Sequence, residues 1–213
     1  MKKLSAEELQ VQLAKFYEYI TKYISKERAD KLIGFYKNIE LNLVTSPASP
    51  KANFHNCFPG GYIEHVNRVV EAALIMDKVW DRFNQVKDYT LEELVFSAIN
   101  HDLGKLGLND AEPFYIPNDS QWHIEKQGAY YKINPKLTHM RISDRSLYYL
   151  QLHGIAVTEI EFLSIKLHDG LYEEANKPYY ITFSADTEIK SNLPYILHQA
   201  DLMASRVETQ INK

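Results

Sequence analysis

A histidine and an aspartate at the end of an apolar helical pattern constrain this chain more than any other feature. Between Leu91 and Ala98, apolar residues recur at the i, i+3, i+4 and i+7 spacing of one helix face, and the next turn carries His101 and Asp102. Burying an ionised carboxylate is costly unless a cation, a dense set of hydrogen bonds or a shifted pKa compensates it. A bound divalent metal explains the adjacent imidazole best, because imidazole and carboxylate are both metal ligands. The alternative is a helix C-terminus at which both side chains face solvent and Gly104 simply ends the helix.

Length and composition limit the class of protein. The 213 residues fit one domain with a sizeable core. Lys and Arg number 24 against 28 Asp and Glu, a formal charge of -4, which argues against an extended nucleic-acid surface but allows a local basic pocket for phosphates. The single cysteine, Cys57, excludes an internal disulfide and fits a reducing compartment. The N-terminus turns acidic where a signal peptide would be apolar, and no segment reaches the roughly 20 apolar residues of a membrane span. We expect a cytoplasmic protein with no membrane partner.

Several common catalytic motifs are absent from the sequence. It contains no Walker loop, no GxGxxG fingerprint and no GxSxG elbow. Cys57 has no evident general base, which disfavours thiol catalysis.

The pattern of apolar residues predicts an all-α protein with a small β-hairpin insertion. Two helices, one after a capping box at Ser5 and one over 26–42, precede a long helix that follows Pro59 and ends near Phe83. We expect residues 1–45 to pack on the core of a single compact domain, or to form a homodimer surface, and residues 46–213 to carry the chemistry. Aromatic and turn residues over 106–135 predict the hairpin. It would form a flap or wall in which Trp122 or Tyr130 could stack on a base, or it would pack on the helices for stability alone.

Two further polar side chains lie on apolar helix faces. His65 shares a face with Val69, Ala72 and Met76, although a histidine in such a position is more often a hydrogen-bonded core residue than a metal ligand. Asp201 lies on or beside the apolar face of the last helix, where a salt bridge is an equally good explanation.

These side chains become more informative together, because a helical bundle builds metal sites from side chains of facing helices. Their order, His, then His-Asp, then Asp, resembles the HD-domain superfamily of metal-dependent phosphohydrolases. The resemblance covers residues 54–208 and rests on three segments: GGYIEH at 60–65, HDLGK at 101–105 and Ala200-Asp201.

The resemblance implies a set of metal ligands. His65, His101, Asp102 and Asp201 would hold one divalent ion, with Asp102 able to bridge to a second. Branches of the superfamily with more metals add a histidine at the start of the next helix and a His-His pair at the end of the following one. In this sequence His139 matches the histidine at the start of the next helix. His168 matches the first histidine of the pair, whereas Asp169 stands in place of the second. The implied cofactor is one or two divalent metal ions, with Mn²⁺ favoured and Mg²⁺, Co²⁺, Ni²⁺, Fe²⁺ or Zn²⁺ as alternatives.

Lys105 narrows the resemblance to one part of the superfamily. Branches that act on deoxynucleotides and their triphosphates commonly carry an acidic residue there, whereas HDxGK is more like the phosphodiesterase and exoribonuclease branches. By that likeness Asp102, Lys105 and Asp169 are the expected catalytic residues. Lys105, His55 and Arg68 are the expected contacts to phosphate oxygens, and Asp169 or His168 would orient the nucleophile or protonate the leaving oxygen.

The sequence therefore predicts a metal-dependent phosphohydrolase that cleaves a phosphoester of a nucleotide or short oligonucleotide. A deoxynucleoside triphosphohydrolase is the nearest alternative. A catalytically silent metal-binding module that acts in protein interaction or regulation is an alternative from another class, and an iron oxygenase on the same type of site is a smaller one.

Overall fold

A computed structural model describes residues 4–212 and has the all-α architecture expected from the sequence. Within that range ten α-helices form a bundle beside one small antiparallel sheet. No helix in the described part of the chain combines the length and the hydropathy needed to cross a bilayer. The helices are α1 Ala6–Tyr23, α2 Lys26–Asn38, α3 Glu40–Thr45, α4 Gly61–Arg82, α5 Leu91–Asn100, α6 Gln121–Gln127, α7 Ile142–Leu152, α8 Glu159–Leu167, α9 Lys177–Tyr180 and α10 Leu193–Ile211.

Capping residues fix where the principal helices begin. The capping box at Ser5 is confirmed, and Thr90 and Thr158 form matching boxes at the starts of α5 and α8. The single helix expected over 26–42 is instead two helices, because the chain leaves helical geometry at Ile39 and α3 begins immediately after it. Ile39 is buried, so this bend turns α3 back onto the core.

The long helix α4 lies at the centre of the bundle. It packs along α10 and α5, while α8 packs against both α5 and α10. One continuous cluster of buried apolar side chains extends from Phe16 in α1 to Ala204 in α10, so the N-terminal helices share the core of the remaining chain. This packing brings the C-terminal ends of α5 and α8 to the middle of α10.

The sheet pairs β1 Tyr115–Pro117 with β2 Tyr131–Ile133. The expected hairpin is thus present, but a connection containing α6 joins its strands instead of a tight turn. An isolated bridge from Lys51 to Ala129 ties this insertion to the loop before α4.

Gly104 allows the segment after α5 to lie against α7. It does not have the positive φ of a glycine that ends a helix, contrary to the alternative drawn from the sequence. A Cβ at Gly104 would lie 2.4 Å from the carbonyl oxygen of Ile142 and 2.9 Å from Cβ of Arg145. Its N–H donates to Ser146 Oγ at 2.8 Å, and that hydroxyl lies 3.1 Å from the carbonyl oxygen of His101. The close approach therefore fixes the His-Asp segment to α7.

We expect Gly104→Ala to lower the free energy of unfolding by about 1–3 kcal/mol, because the backbone of α7 must move to admit the methyl group. Gly34→Ala is a matched control, since a Cβ at Gly34 on α2 meets nothing within 4 Å. That change should stabilise the helix by about 0.5–1 kcal/mol. Denaturant unfolding of both variants measures the difference, and equal stabilities would contradict the packing role of Gly104.

Candidate metal centre

Three buried histidines have one ring nitrogen held by a hydrogen bond. Nδ1 of His101, which follows α5, donates to the carbonyl oxygen of Ala98 at 2.7 Å. Nδ1 of His168, which follows α8, donates in the same way to Ile165 at 2.8 Å. A hydrogen bond at Nδ1 fixes the orientation of the ring and leaves Nε2 as the metal-binding atom.

His65 on α4 is held by a carboxylate. Its Nδ1 lies 3.0 Å from Oε2 of Glu208 on α10, and Nη1 of Arg68 donates to the other oxygen of Glu208 at 2.6 Å. A carboxylate behind a metal-ligating imidazole is a recurring arrangement that orients the ring and raises its basicity.

The free ring nitrogens face two aspartates. Oδ2 of Asp102 lies 3.7 Å from Nε2 of His65 and 3.5 Å from Nε2 of His101. Oδ1 of Asp201 lies 3.1 Å and 3.9 Å from the same two nitrogens. The four side chains that the sequence singled out therefore come together from three separate segments.

A second group adjoins the first. The other oxygen of Asp102, Oδ1, lies 3.6 Å from Nε2 of His168. Nε2 of His168 is also 3.6 Å from Oδ2 of Asp169, and ligand atoms of His168, Asp169 and Asp201 all lie within 4.8 Å of one another. Asp102 thus presents one oxygen to each group.

These residues fit a divalent cation. Nε2 of His65 and of His101 are buried without a hydrogen-bond partner, although carboxylate oxygens lie close to both. Metal–ligand bonds of about 2.0–2.2 Å place neighbouring ligand atoms about 3.0–3.6 Å apart, close to the observed separations. Three carboxylates of the two groups, from Asp102, Asp169 and Asp201, face one ammonium group, that of Lys105, so the site lacks positive charge.

The pKa values of two histidines reflect the same need for positive charge. Burial alone would lower the pKa of His65, but Glu208 and Asp201 outweigh it and raise the pKa to about 10. Burial would also lower the pKa of His168, but Asp169 and Asp102 raise it to about 10. Protons on these two rings thus compensate the negative charge of the carboxylates, which a bound divalent ion would otherwise neutralise.

Lys105 is paired with the central carboxylate. Its Nζ lies 2.5 Å from Oδ2 of Asp102, the oxygen that also faces His65 and His101. Burial disfavours the charged form of both partners, yet their attraction prevails, so the pKa of Asp102 lies well below its usual value and that of Lys105 above its own. Burial also opposes ionisation of Asp201, but His65 and His101 hold its pKa below the ordinary range.

A pocket of about 550 Å³ opens onto these groups. His55 lines it, with its ring centroid 4.6 Å from that of His65. Burial, followed by the charges of His65 and Lys105, lowers the pKa of His55 to about 3, so its ring is neutral near pH 7. Tyr115 of β1 also lines the pocket, so the insertion forms part of its wall.

Two residues expected at the site have other surroundings. His139 is exposed in the loop before α7, and it belongs to none of the groups among residues 4–212 whose geometry could hold a metal ion. It lines a neighbouring groove that meets the site pocket at Asp169. Arg68 does not line the pocket; it pairs instead with Glu208 and Glu64.

The aromatic residues expected to stack on a base are also elsewhere. Trp122 and Tyr130 are 58% and 38% exposed and do not line the site pocket. Both lie on or near α6, the helix that replaces the expected turn, whereas Tyr115 lines the pocket together with Lys105.

Sequence reasoning missed Glu208 and Arg206. Glu208 follows Ala204 by one helical turn and is fully buried, so a carboxylate on the apolar face of α10 was the signal that could have identified it. Arg206 lines the pocket, and no periodicity distinguishes it from other surface cations.

Comparison with models of protein families, with curated proteins and with solved structures gave no match to this chain.

We expect Mn²⁺ at a hundred times its dissociation constant to stabilise the protein by about 2.7 kcal/mol, a rise in Tm of about 5–10 °C for a chain of this size. Asp201→Asn should abolish most of that rise, because it removes one anionic ligand. Asp30→Asn, on an exposed face of α2, is the control and should keep it. Thermal unfolding with and without Mn²⁺ checks this, and an undiminished rise in Asp201→Asn would contradict the assignment.

Glu208→Gln should weaken Mn²⁺ binding about 10- to 100-fold, because the amide keeps the volume of Glu208 but removes the charge behind His65. Glu18→Gln, on the exposed side of α1, should leave affinity unchanged. Isothermal titration calorimetry measures the affinity of each variant for Mn²⁺. Equal affinities of Glu208→Gln and Glu18→Gln would show that Glu208 only fills space.

Proposed function

We propose that this protein is an HD-type metal-dependent phosphohydrolase that cleaves a phosphoester of a nucleotide or short oligonucleotide. The observation that carries the proposal is the convergence of three oriented imidazoles on Asp102 and Asp201, two carboxylates that line an open pocket. The order of these residues along the chain supports the same family.

The size of the pocket and the net charge of the protein favour a small phosphorylated substrate. A volume of about 550 Å³ is in the range of small-molecule sites and suits one or two nucleotide units. A net charge of -4 disfavours long nucleic acid, whose binding depends on many phosphate contacts.

The chemistry follows from the ligands that the pocket presents. His65, His101, Asp102 and Asp201 would hold one divalent cation, and His168 with Asp169 would contribute to a second. When bound, such an ion polarises a phosphoryl oxygen and lowers the pKa of water to near neutrality.

The remaining side chains supply orientation and charge. Lys105, whose Nζ lies beside Asp102 and whose side chain lines the pocket, is placed to neutralise a non-bridging phosphate oxygen. Asp169, with about half of its side chain exposed, is placed to accept a proton from water or return one to the leaving oxygen. The ring of His55 lines the same pocket and packs beside that of His65, where it is neutral near pH 7. No step requires a nucleophilic side chain.

The decisive test is hydrolysis of nucleotides, cyclic nucleotides and short oligonucleotides with added Mn²⁺, Mg²⁺, Co²⁺ or Ni²⁺. We expect turnover that EDTA removes and metal restores. Release of inorganic triphosphate from deoxynucleotides would instead favour the triphosphohydrolase alternative.

Asp102→Asn should lower kcat/KM at least about 10³-fold, because it removes a charge shared by both groups of ligands. Asp119→Asn, at an exposed position in the insertion, should retain wild-type activity. Circular dichroism establishes that both variants are folded. Wild-type turnover by a folded Asp102→Asn protein would refute the proposal.

A further inference from the structure

The site pocket extends well beyond the metal-binding groups, along one side of α10. From Asp201 to Thr209 the helix rises about 12 Å, and residues of the loop at 48–55 line the same pocket. A phosphate held near Asp201 would therefore fill only one end of the pocket. The α10 residues that line it are His198, Asp201, Leu202, Ser205, Arg206 and Thr209.

Arg206 is a cation in this extension with no acidic partner. Lys105, the other Lys or Arg that lines the pocket, is paired with Asp102. Within residues 4–212, no carboxylate lies within 4.0 Å of the Arg206 guanidinium group, whose Nη2 donates to the hydroxyl of Tyr172 at 3.1 Å. Tyr172 lies just after His168 and Asp169 and is itself 74% exposed, so the pair stands at the mouth of the pocket.

The hydrogen bond that Arg206 donates to Tyr172 orients the guanidinium group without neutralising it. Tyrosine oxygen accepts one N–H and leaves the other donors of arginine available. Arginine presents these donors in a planar fork that matches phosphate and carboxylate oxygens. An oriented and uncompensated fork at the rim of a phosphate pocket is suited to bind an anion.

We propose that Arg206, oriented by Tyr172, binds a second anionic group of the substrate, one that is not the phosphate being cleaved. Arg206 is five residues from Asp201, about 7.5 Å of rise along α10, so the two anions are held apart. This inference rests on the proposed function and narrows its substrate class. It favours a phosphoester that carries another phosphate across a sugar, such as a dinucleotide with a terminal phosphate.

Binding of dinucleotides tests the subsite without turnover. The probes are dTpdT and its 5′- and 3′-phosphorylated forms, titrated into EDTA-treated protein. We expect wild type to bind one of the phosphorylated forms about tenfold more tightly than dTpdT, the magnitude of one charge-assisted contact. Arg206→Ala should bring that ratio close to one, and Arg206→Lys should retain part of it.

Two further variants separate anion binding from a structural role. Tyr172→Phe removes the hydroxyl that orients Arg206, and we expect it to lower the ratio less than Arg206→Ala does. Lys177→Ala, an exposed cation of α9 that does not line the pocket, should keep the wild-type ratio. Wild-type protein that lacks a preference, or an Arg206→Ala variant that retains it, would overturn the inference.

Hydrolysis of the same probes with Mn²⁺ separates the two proposals. Loss of the phosphate preference in kcat/KM on Arg206→Ala, with the preference retained in Lys177→Ala, supports both proposals. A binding preference that depends on Arg206, without hydrolysis of any phosphoester, would contradict the proposed function and leave the anion site standing. Turnover with a preference for the phosphorylated dinucleotide that Arg206→Ala does not alter would support the proposed function and overturn the anion site.

Discussion

The hydrogen bonds at Nδ1 of three histidines are the interactions on which the rest of the site depends. Two are made to carbonyl oxygens three residues earlier, so each ring is held by the last turn of its own helix. The third is made to Glu208, across the contact between α4 and α10. With the rings fixed, three Nε2 atoms meet the oxygens of two aspartates, and the arrangement can bind a cation without being reorganised first.

This arrangement has a cost in stability that the surrounding fold must offset. Asp102, Asp201 and Glu208 are largely or fully removed from water, and each needs a cation or proton nearby to remain charged. Lys105 and Arg68 each meet part of this requirement, and the raised pKa values of His65 and His168 meet more of it. A bundle with one continuous apolar core can tolerate such a site, and a bound ion would take the place of the protons on His65 and His168.

Periodicity predicted the helices well because it reports which residues face a core. The capping box at Ser5 and the long helix that ends near Phe83 are confirmed. The same reasoning identified His65, His101 and Asp201 as inward-facing, and the structure brings them together, although their role as ligands stays a prediction. The sequence pattern did not predict the bend at Ile39, because tertiary packing ends that helix without a glycine or proline.

The side chains that lie away from their expected positions are ones whose surroundings depend on distant segments. Position in a motif suggested His139, but a loop before α7 carries it into a neighbouring groove. Arg68 was expected to meet phosphate, and only the packing of α4 on α10 shows that Glu208 binds it. Gly104 could be a helix terminator or a point of close contact, and only the position of α7 decides between them.

Crystals grown with Mn²⁺ would show through the anomalous scattering of the metal whether the candidate ligands of the metal centre bind one ion. We expect a peak about 2.0–2.3 Å from Nε2 of His65 and His101 and from carboxylate oxygens of Asp102 and Asp201. A fully occupied peak elsewhere, with these four side chains unliganded at saturating Mn²⁺, would contradict it.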